Sequence, residues 1–253
     1  MLFFILARFF SVGATAQEPE PPCWHEEPGY YWARVQNPAA NFTVLAEPKR
    51  MSEVCAAGVV VANGTFFAPG APLGDVIVGG ASPYPLAKDQ RRLKRGSRLV
   101  DLGKRWGIGV LKAVPLMGMA DGDTALRTMS VYLGGGGLLL SDGQDVSPLN
   151  ASRSGEWGPS FPLDILDDER GRTAVGIKDE NGRQALLIVS TKDSAHATVS
   201  ALADIMKNLG ATEAVFYDGG GARGYAAGGK CLALPTNKGE DLNPTHIAIR
   251  ACR

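Results

Sequence analysis

Net charge, clustered histidine and paired cysteine motifs are what this 253-residue chain lacks. Lysine plus arginine equals aspartate plus glutamate at 26 each, so no net field draws the protein to nucleic acid or to an anionic membrane surface. Nucleic acid is therefore not an expected partner, and recognition must rest on local groups. The three histidines, His25, His196 and His246, lie far apart, and none of the four cysteines forms a Cys-x-x-Cys pair. A zinc site is not expected, nor is any other metal or cofactor. The glycine clusters lack the Lys-Ser/Thr of a nucleotide loop, and no Gly-x-Ser-x-Gly or Ser-x-x-Lys signature occurs. No helix pattern follows Gly134-Gly135-Gly136-Gly137, which argues against a dinucleotide fingerprint.

Long apolar runs are also missing. The opening stretch Met1–Ala7 is apolar but too short to span a bilayer, and Ala14-Thr15-Ala16 before Gln17 fits a secretory cleavage site. Residues 1–16 are read as a signal segment, 17–29 as a Pro/Glu-rich leader and 30–253 as one domain. The protein is expected to be secreted or periplasmic, with no stable membrane insertion after cleavage. Cys23, Cys55, Cys231 and Cys252 all follow that point, and their even number suits two disulfides. Sequence permits three pairings; the local ones, Cys23–Cys55 and Cys231–Cys252, are expected.

Apolar patterning predicts a β-rich chain. Val59–Ala62 is a short β-branched run ending at Asn63-Gly64, which reads as a buried strand, and Asp75–Val78 before Gly79-Gly80 reads as another. Met129–Tyr132 predicts a strand, and the four glycines then lead into Leu138–Leu140. Arg172–Ile177 and Gln184–Ser190, joined through Asn181-Gly182, predict a hairpin. From Ser194 to Leu209 the positions Val199, Leu202, Ala203, Met206 and Leu209 recur at helical spacing, with Asp193 or Ser194 as cap and Gly210 past the end. The basic run Arg91, Arg92, Lys94, Arg95 reads as a solvated face. The expected fold is α+β: a single domain with mixed β-sheets, few helices and one βαβ unit whose last strand, Ala214–Tyr217, ends at an Asp-Gly-Gly-Gly loop.

That loop carries the chemistry. A short apolar strand delivers Asp218 into Gly219, Gly220 and Gly221, where absent side chains let a ligand approach and main-chain N–H groups can face an anion. Asp218 offers a base, a nucleophile or an acceptor. The plainer reading is a turn that ends a strand.

Five motifs in order then resemble the phosphodiester glycosidase family. They are Val61-Ala62-Asn63-Gly64-Thr65-Phe66-Phe67, Pro72-Leu73-Gly74, Gly134–Leu140 with Asp142-Gly143, Arg172–Ile177, and Tyr217–Gly221. The resemblance runs from about Val59 to Arg250 and implies cleavage of the bond between a sugar's anomeric carbon and a phosphodiester. It implies site roles for Asn63, for Arg172 and Thr173, and for Asp218 with its glycines. A phosphate departs as a weakly basic anion, so a cation and N–H groups replace much of the general acid that ordinary glycosides need. Arg172 and the amides of Gly219–Gly221 suit that task. Ala222 and Arg223 stand where the family pattern has serine, and Arg223 adds a cation for an anionic group. His246, where relatives often carry asparagine, reads as a structural residue or a site residue. The implied partner is a sugar phosphodiester or an anionic polysaccharide; the alternative is a non-catalytic exopolysaccharide binding or assembly factor.

Overall fold

The computed structural model describes residues 23–55, 60–68, 71–72, 74–84, 92–95, 98–101, 105–119, 128–151, 161, 163–220, 224–234 and 242–249. The signal segment, Gly221, Arg223 and Cys252 lie outside the described residues. Two sheets dominate. The larger has ten strands, on a path Trp24–Glu26, Tyr30–Val35, Arg183–Thr191, Thr173–Glu180, Glu213–Tyr217, Met129–Ser141, Trp106–Leu111, Val114–Met119. Gln144–Asp145 and Val76–Val78 pair with Met129–Ser141 off that path. The smaller has five strands in the order Lys230–Ala233, Tyr225–Ala227, Val60–Asn63, His246–Ile249, Phe42–Leu45.

Alternation sorts the side chains into layers. Tyr31, Ala33 and Val35, Val175 and Ile177, and Val215 and Tyr217 face the smaller sheet, where they share one core with Val60, Ala62, Ile247 and Ile249. Ala174, Leu187, Val189, Ala214 and Phe216 face the opposite way, against the Val199–Asn208 helix through Val199, Leu202, Ala203 and Met206. Met51, Val54 and Cys55 cover the outer face of the smaller sheet. The layer order is thus helix, large sheet, small sheet, short helix.

Both faces of the large sheet are covered, so its central strands read as continuous apolar runs, and such runs carry no information on strand direction. Every ladder among the described residues is antiparallel, which corrects the expectation of mixed sheets. Arg183–Thr191 and Glu213–Tyr217 are each antiparallel to Thr173–Glu180, which lies between them. They point the same way without being neighbours, and the helical connection passes over the intervening strand.

The expected hairpin forms, with Asn181 and Gly182 at φ 52° and 79° as a left-handed two-residue turn requires. Trp24–Glu26, inside the stretch read as a leader, is an edge strand on Tyr30–Val35. The glycine run does not interrupt its strand: Met129–Ser141 is continuous for 13 residues. A Cβ on Gly137 would lie 2.3 Å from the Phe216 ring, so glycine there lets that ring lie against the sheet. The helix is capped by Thr198, whose hydroxyl accepts from Ala201 N–H, five residues later than Asp193. Cys55 is bonded to Cys231 and Cys23 is also in a disulfide, so the two local pairings are not those formed.

Candidate functional site

The site is built where strand ends of both sheets meet. Asn63 closes the Val60–Asn63 strand and pairs with His246, while Thr173 opens its strand opposite Tyr217, the residue before Asp218. Asn63 is fully buried and joins these ends with one amide. Its Nδ2 donates to the Asp218 carbonyl at 2.7 Å, and its Oδ1 accepts from the Thr173 hydroxyl and from Gly224 N–H at 3.1 Å. Asn63 is an extended strand residue, so its presence is explained by these partners and not by a left-handed turn.

Gly64, next along, is there for space. A Cβ would meet Thr245 Oγ1 at 2.3 Å, and the Gly64 N–H instead donates to the Thr245 carbonyl at 3.0 Å. Thr65 N–H donates to Thr245 Oγ1 at 3.1 Å. The motif Asn63-Gly64-Thr65 is thereby stitched to Thr245-His246, and the Gly64 carbonyl accepts from Asp218 N–H at 3.4 Å. Thr245 and Gly224 carried no sequence signal, because each acts through its main chain or through a single hydroxyl.

Asp218 is half-buried, and its Oδ1 accepts from Gly219 N–H at 2.7 Å. Gly220 N–H donates to the Gly171 carbonyl at 3.1 Å, and Gly220 has φ 60°. A Cβ on Gly219 would sit 2.2 Å from that same carbonyl. These two glycines thus fix the carboxylate against Gly171, and their amides are committed within the loop. The third glycine, Gly221, and the cation Arg223 lie outside the described residues.

Arg172, 1 % exposed, is committed as well. Its Nε donates to the Ala197 carbonyl at 2.9 Å, and its Nη2 donates to the carbonyls of Ile165 and Asp168 at 2.6 and 2.7 Å. Burial lowers its pKa to about 10, and nearby Arg170 acts the same way, while Asp168 and Asp218 oppose them. Asp168 itself pairs with Arg170 at 2.7 Å. Arg172 therefore clamps the 165–172 and 197 segments around the loop that seats Gly219 and Gly220, within the field of Asp218. The Arg172-Thr173 pattern marks Arg172 as a candidate only; its carbonyl partners come from segments without periodic patterning.

Two further groups lie close by. His246 is fully buried, and neither ring nitrogen has a hydrogen-bond partner among the described residues. Burial lowers its pKa to about 4, Lys49 adds to that, and Glu53 opposes it. On the helix side of the large sheet, Phe66, Phe161 and Phe216 form a ring cluster with centroids 4.9 to 5.9 Å apart, and the Arg105 guanidinium lies 4.4 Å above Phe161. Neither Phe161 nor Arg105 falls in a motif. Among the described residues no three His, Cys, Asp or Glu side chains gather as metal ligands would.

This geometry can be set beside known proteins. The catalytic domain of zebrafish N-acetylglucosamine-1-phosphodiester alpha-N-acetylglucosaminidase, auto-inhibited by its pro-peptide, superposes with a TM-score of 0.63 at 21% identity, covering 88% of this chain and 76% of that one. A hypothetical protein from Synechocystis gives 0.55 at 16% identity, over 89% of this chain and 61% of its own. A protein assigned as exported, from Burkholderia pseudomallei K96243, gives 0.58 at 15% identity over 87% and 74%. At such identities these likenesses show the fold. No curated protein matches the sequence. A sequence model of the phosphodiester glycosidase family, however, matches residues 56–250, a span that contains Asn63, Arg172, Thr173, Asp218 and His246, and the chain belongs to that family.

Proposed function

We propose that the protein hydrolyses a sugar-1-phosphodiester at the C–O bond between anomeric carbon and phosphate, outside the cytoplasm, on a glycan or cell-surface polysaccharide. One observation carries the reading: the family match spans the junction where Asn63, Thr173 and the Gly171 carbonyl hold Asp218 and its loop. Asp218 supplies the carboxylate that meets positive charge developing at the anomeric carbon. The phosphate leaves with the bonding electrons and, being a weak base, needs no proton at that moment. Water completes the reaction, giving free sugar and a phosphomonoester.

The other residues position. Asn63 fixes the Asp218 main chain, the Thr173 hydroxyl and Gly224 together, and Arg172 fixes the segment on which Gly219 and Gly220 rest. Export is supported by the Ala14-Thr15-Ala16 signal and by the disulfide Cys55–Cys231, which persists in oxidising compartments. Ala222-Arg223, in place of the family's serine, favours a second reading, a polysaccharide-binding factor without turnover.

The test is incubation of the mature protein and its Asp218→Asn variant with a panel of sugar-1-phosphodiesters and nucleotide sugars in isotope-labelled water. Free sugar carrying the label, with at least a hundredfold loss in the variant, is the expected result; that is about 2.7 kcal/mol of transition-state stabilisation. A loss below tenfold removes Asp218 from the central role. Label on phosphate assigns P–O cleavage instead. Binding of an anionic glycan with no product favours the second reading.

A further inference from the structure

With the amides of Gly219 and Gly220 and three of the Arg172 donor contacts committed to main-chain oxygens and to Asp218 itself, the described residues of the loop offer little to hold a phosphate. Another cation is placed for the task. Arg105 is only 8% exposed, and its Nε and Nη1 are buried without a hydrogen-bond partner among the described residues. Its pKa is lowered to about 10 by burial, so it is cationic at neutral pH. Buried guanidinium donors left without a partner are destabilising unless an anion completes them. Contact with the Phe161 ring compensates only in part.

Its position ties it to Asp218. Arg105 immediately precedes the Trp106–Leu111 strand; Trp106 pairs with Gly136, and Gly137 pairs with Phe216. Phe216, two residues before Asp218, faces the helix side of the sheet, and there Arg105 stacks on Phe161. Phe161 bridges Arg105 to Phe216 at 4.9 Å and to Phe66 at 5.2 Å. Phe66 in turn stands three residues after Asn63. The absence of a Cβ on Gly137, which would meet both Phe216 and Phe161 within 2.8 Å, seats the rings and the arginine above them.

We propose that Arg105 is the anion-binding cation of the Asp218 site and that it takes the phosphate of the substrate through its unpartnered Nε and Nη1 donors. The inference deepens the reading of the site as a sugar phosphodiesterase of the C–O type and rests on it for the substrate, but its test does not require turnover. Inorganic phosphate is the probe, added to wild type, Asp218→Asn, Arg105→Met and Arg105→Gln, with thermal midpoint and titration calorimetry as readouts. Wild type and Asp218→Asn are expected to bind phosphate and to gain thermal midpoint. Arg105→Met is expected to lose that gain, while its phosphate-free midpoint equals or exceeds that of wild type, because an uncompensated charge has been removed. A merely structural arginine would behave the other way. On any phosphodiester that wild type cleaves, Arg105→Met should raise KM by about ten- to a hundredfold.

Retention of the phosphate response by Arg105→Met, or its absence from wild type, overturns the proposal. If the methionine variant does not fold, Arg105→Gln decides by the same two criteria. Phosphate binding lost in the variant, with no product from wild type on any substrate, leaves Arg105 as an anion site and sinks the hydrolase reading. Product formed with an unchanged KM in the variant does the reverse.

Discussion

Asn63 holds groups from three distant segments with one side chain, and its loss should therefore be felt as several faults at once. Asn63→Ala leaves the Asp218 carbonyl, the Thr173 hydroxyl and the Gly224 N–H without this partner inside the protein. Unsatisfied buried groups cost about 1–3 kcal/mol each, and partial relaxation brings the expected total to roughly 2–4 kcal/mol, measurable as a lower urea midpoint at unchanged m. Catalytic turnover should fall further than KM rises, since the variant moves the carboxylate-bearing chain.

His246 supplies the residue-scale pH dependence. The folded protein keeps it neutral down to about pH 4, whereas the unfolded chain takes up the proton near 6.5. Between those values the unfolded state binds more protons, so stability falls as pH falls. The window of about 2.5 units corresponds to about 3 kcal/mol. Thermal midpoints of wild type from pH 7 to 4 should drop more steeply than those of His246→Phe; equal slopes would remove His246 as the cause.

At the scale of the element, the loop after Glu213–Tyr217 is the most sensitive to volume. In Gly219→Ala the new Cβ meets the Gly171 carbonyl at 2.2 Å, a main-chain atom that a side-chain rotation cannot clear. The loop must shift, and the expected result is at least a tenfold loss of kcat/KM with a smaller change in thermal midpoint. The elements that sequence made legible are those with local causes. Asn181-Gly182 dictates its own turn, and Asn63 and Asp218 both stand where an apolar run meets glycine. The elements it misplaced have distant causes. The helix starts at Thr198 and not at Asp193 because Ala197 is bridged in both directions to Arg170, at 3.0 and 3.3 Å, and this bridge pins the preceding chain out of helical geometry. In the same way the motif marks Arg172 as a candidate, but its attachment to Ile165, Asp168 and Ala197 depends on how loops fold over the sheet, and Arg105 and Phe161 enter only once that sheet is assembled. Strand direction was not legible because helix and second sheet bury both faces.

For the whole molecule, the decisive arrangement is a site shared between two sheets of unequal size. Asn63 and His246 belong to the five-stranded sheet, and Thr173 and Asp218 to the ten-stranded one or its edge loop. Cys55–Cys231 ties the helix end at Val54 to the edge strand Lys230–Ala233 of the smaller sheet, across a sequence separation of 176. Short loops close more easily in a free chain, which is the reason local pairs are expected from sequence; in the folded protein the smaller sheet brings the distant ends together. Closing so long a loop restricts the unfolded chain by roughly 5 kcal/mol in the chain-entropy view. Paired Cys55→Ser and Cys231→Ser substitution is therefore expected to lower global stability by roughly 3–5 kcal/mol. The loss should not be uniform, because the larger sheet keeps its own helix-covered core. Amide exchange should accelerate first in Val60–Asn63 and Tyr225–Ala227, while Ala174 and Leu187 remain protected. Since Asp218 is held by Asn63 and Gly64 from the smaller sheet, activity should disappear at a denaturant concentration below the global midpoint. Coincident loss of activity and of exchange protection in both sheets would instead show that the two sheets unfold as one unit.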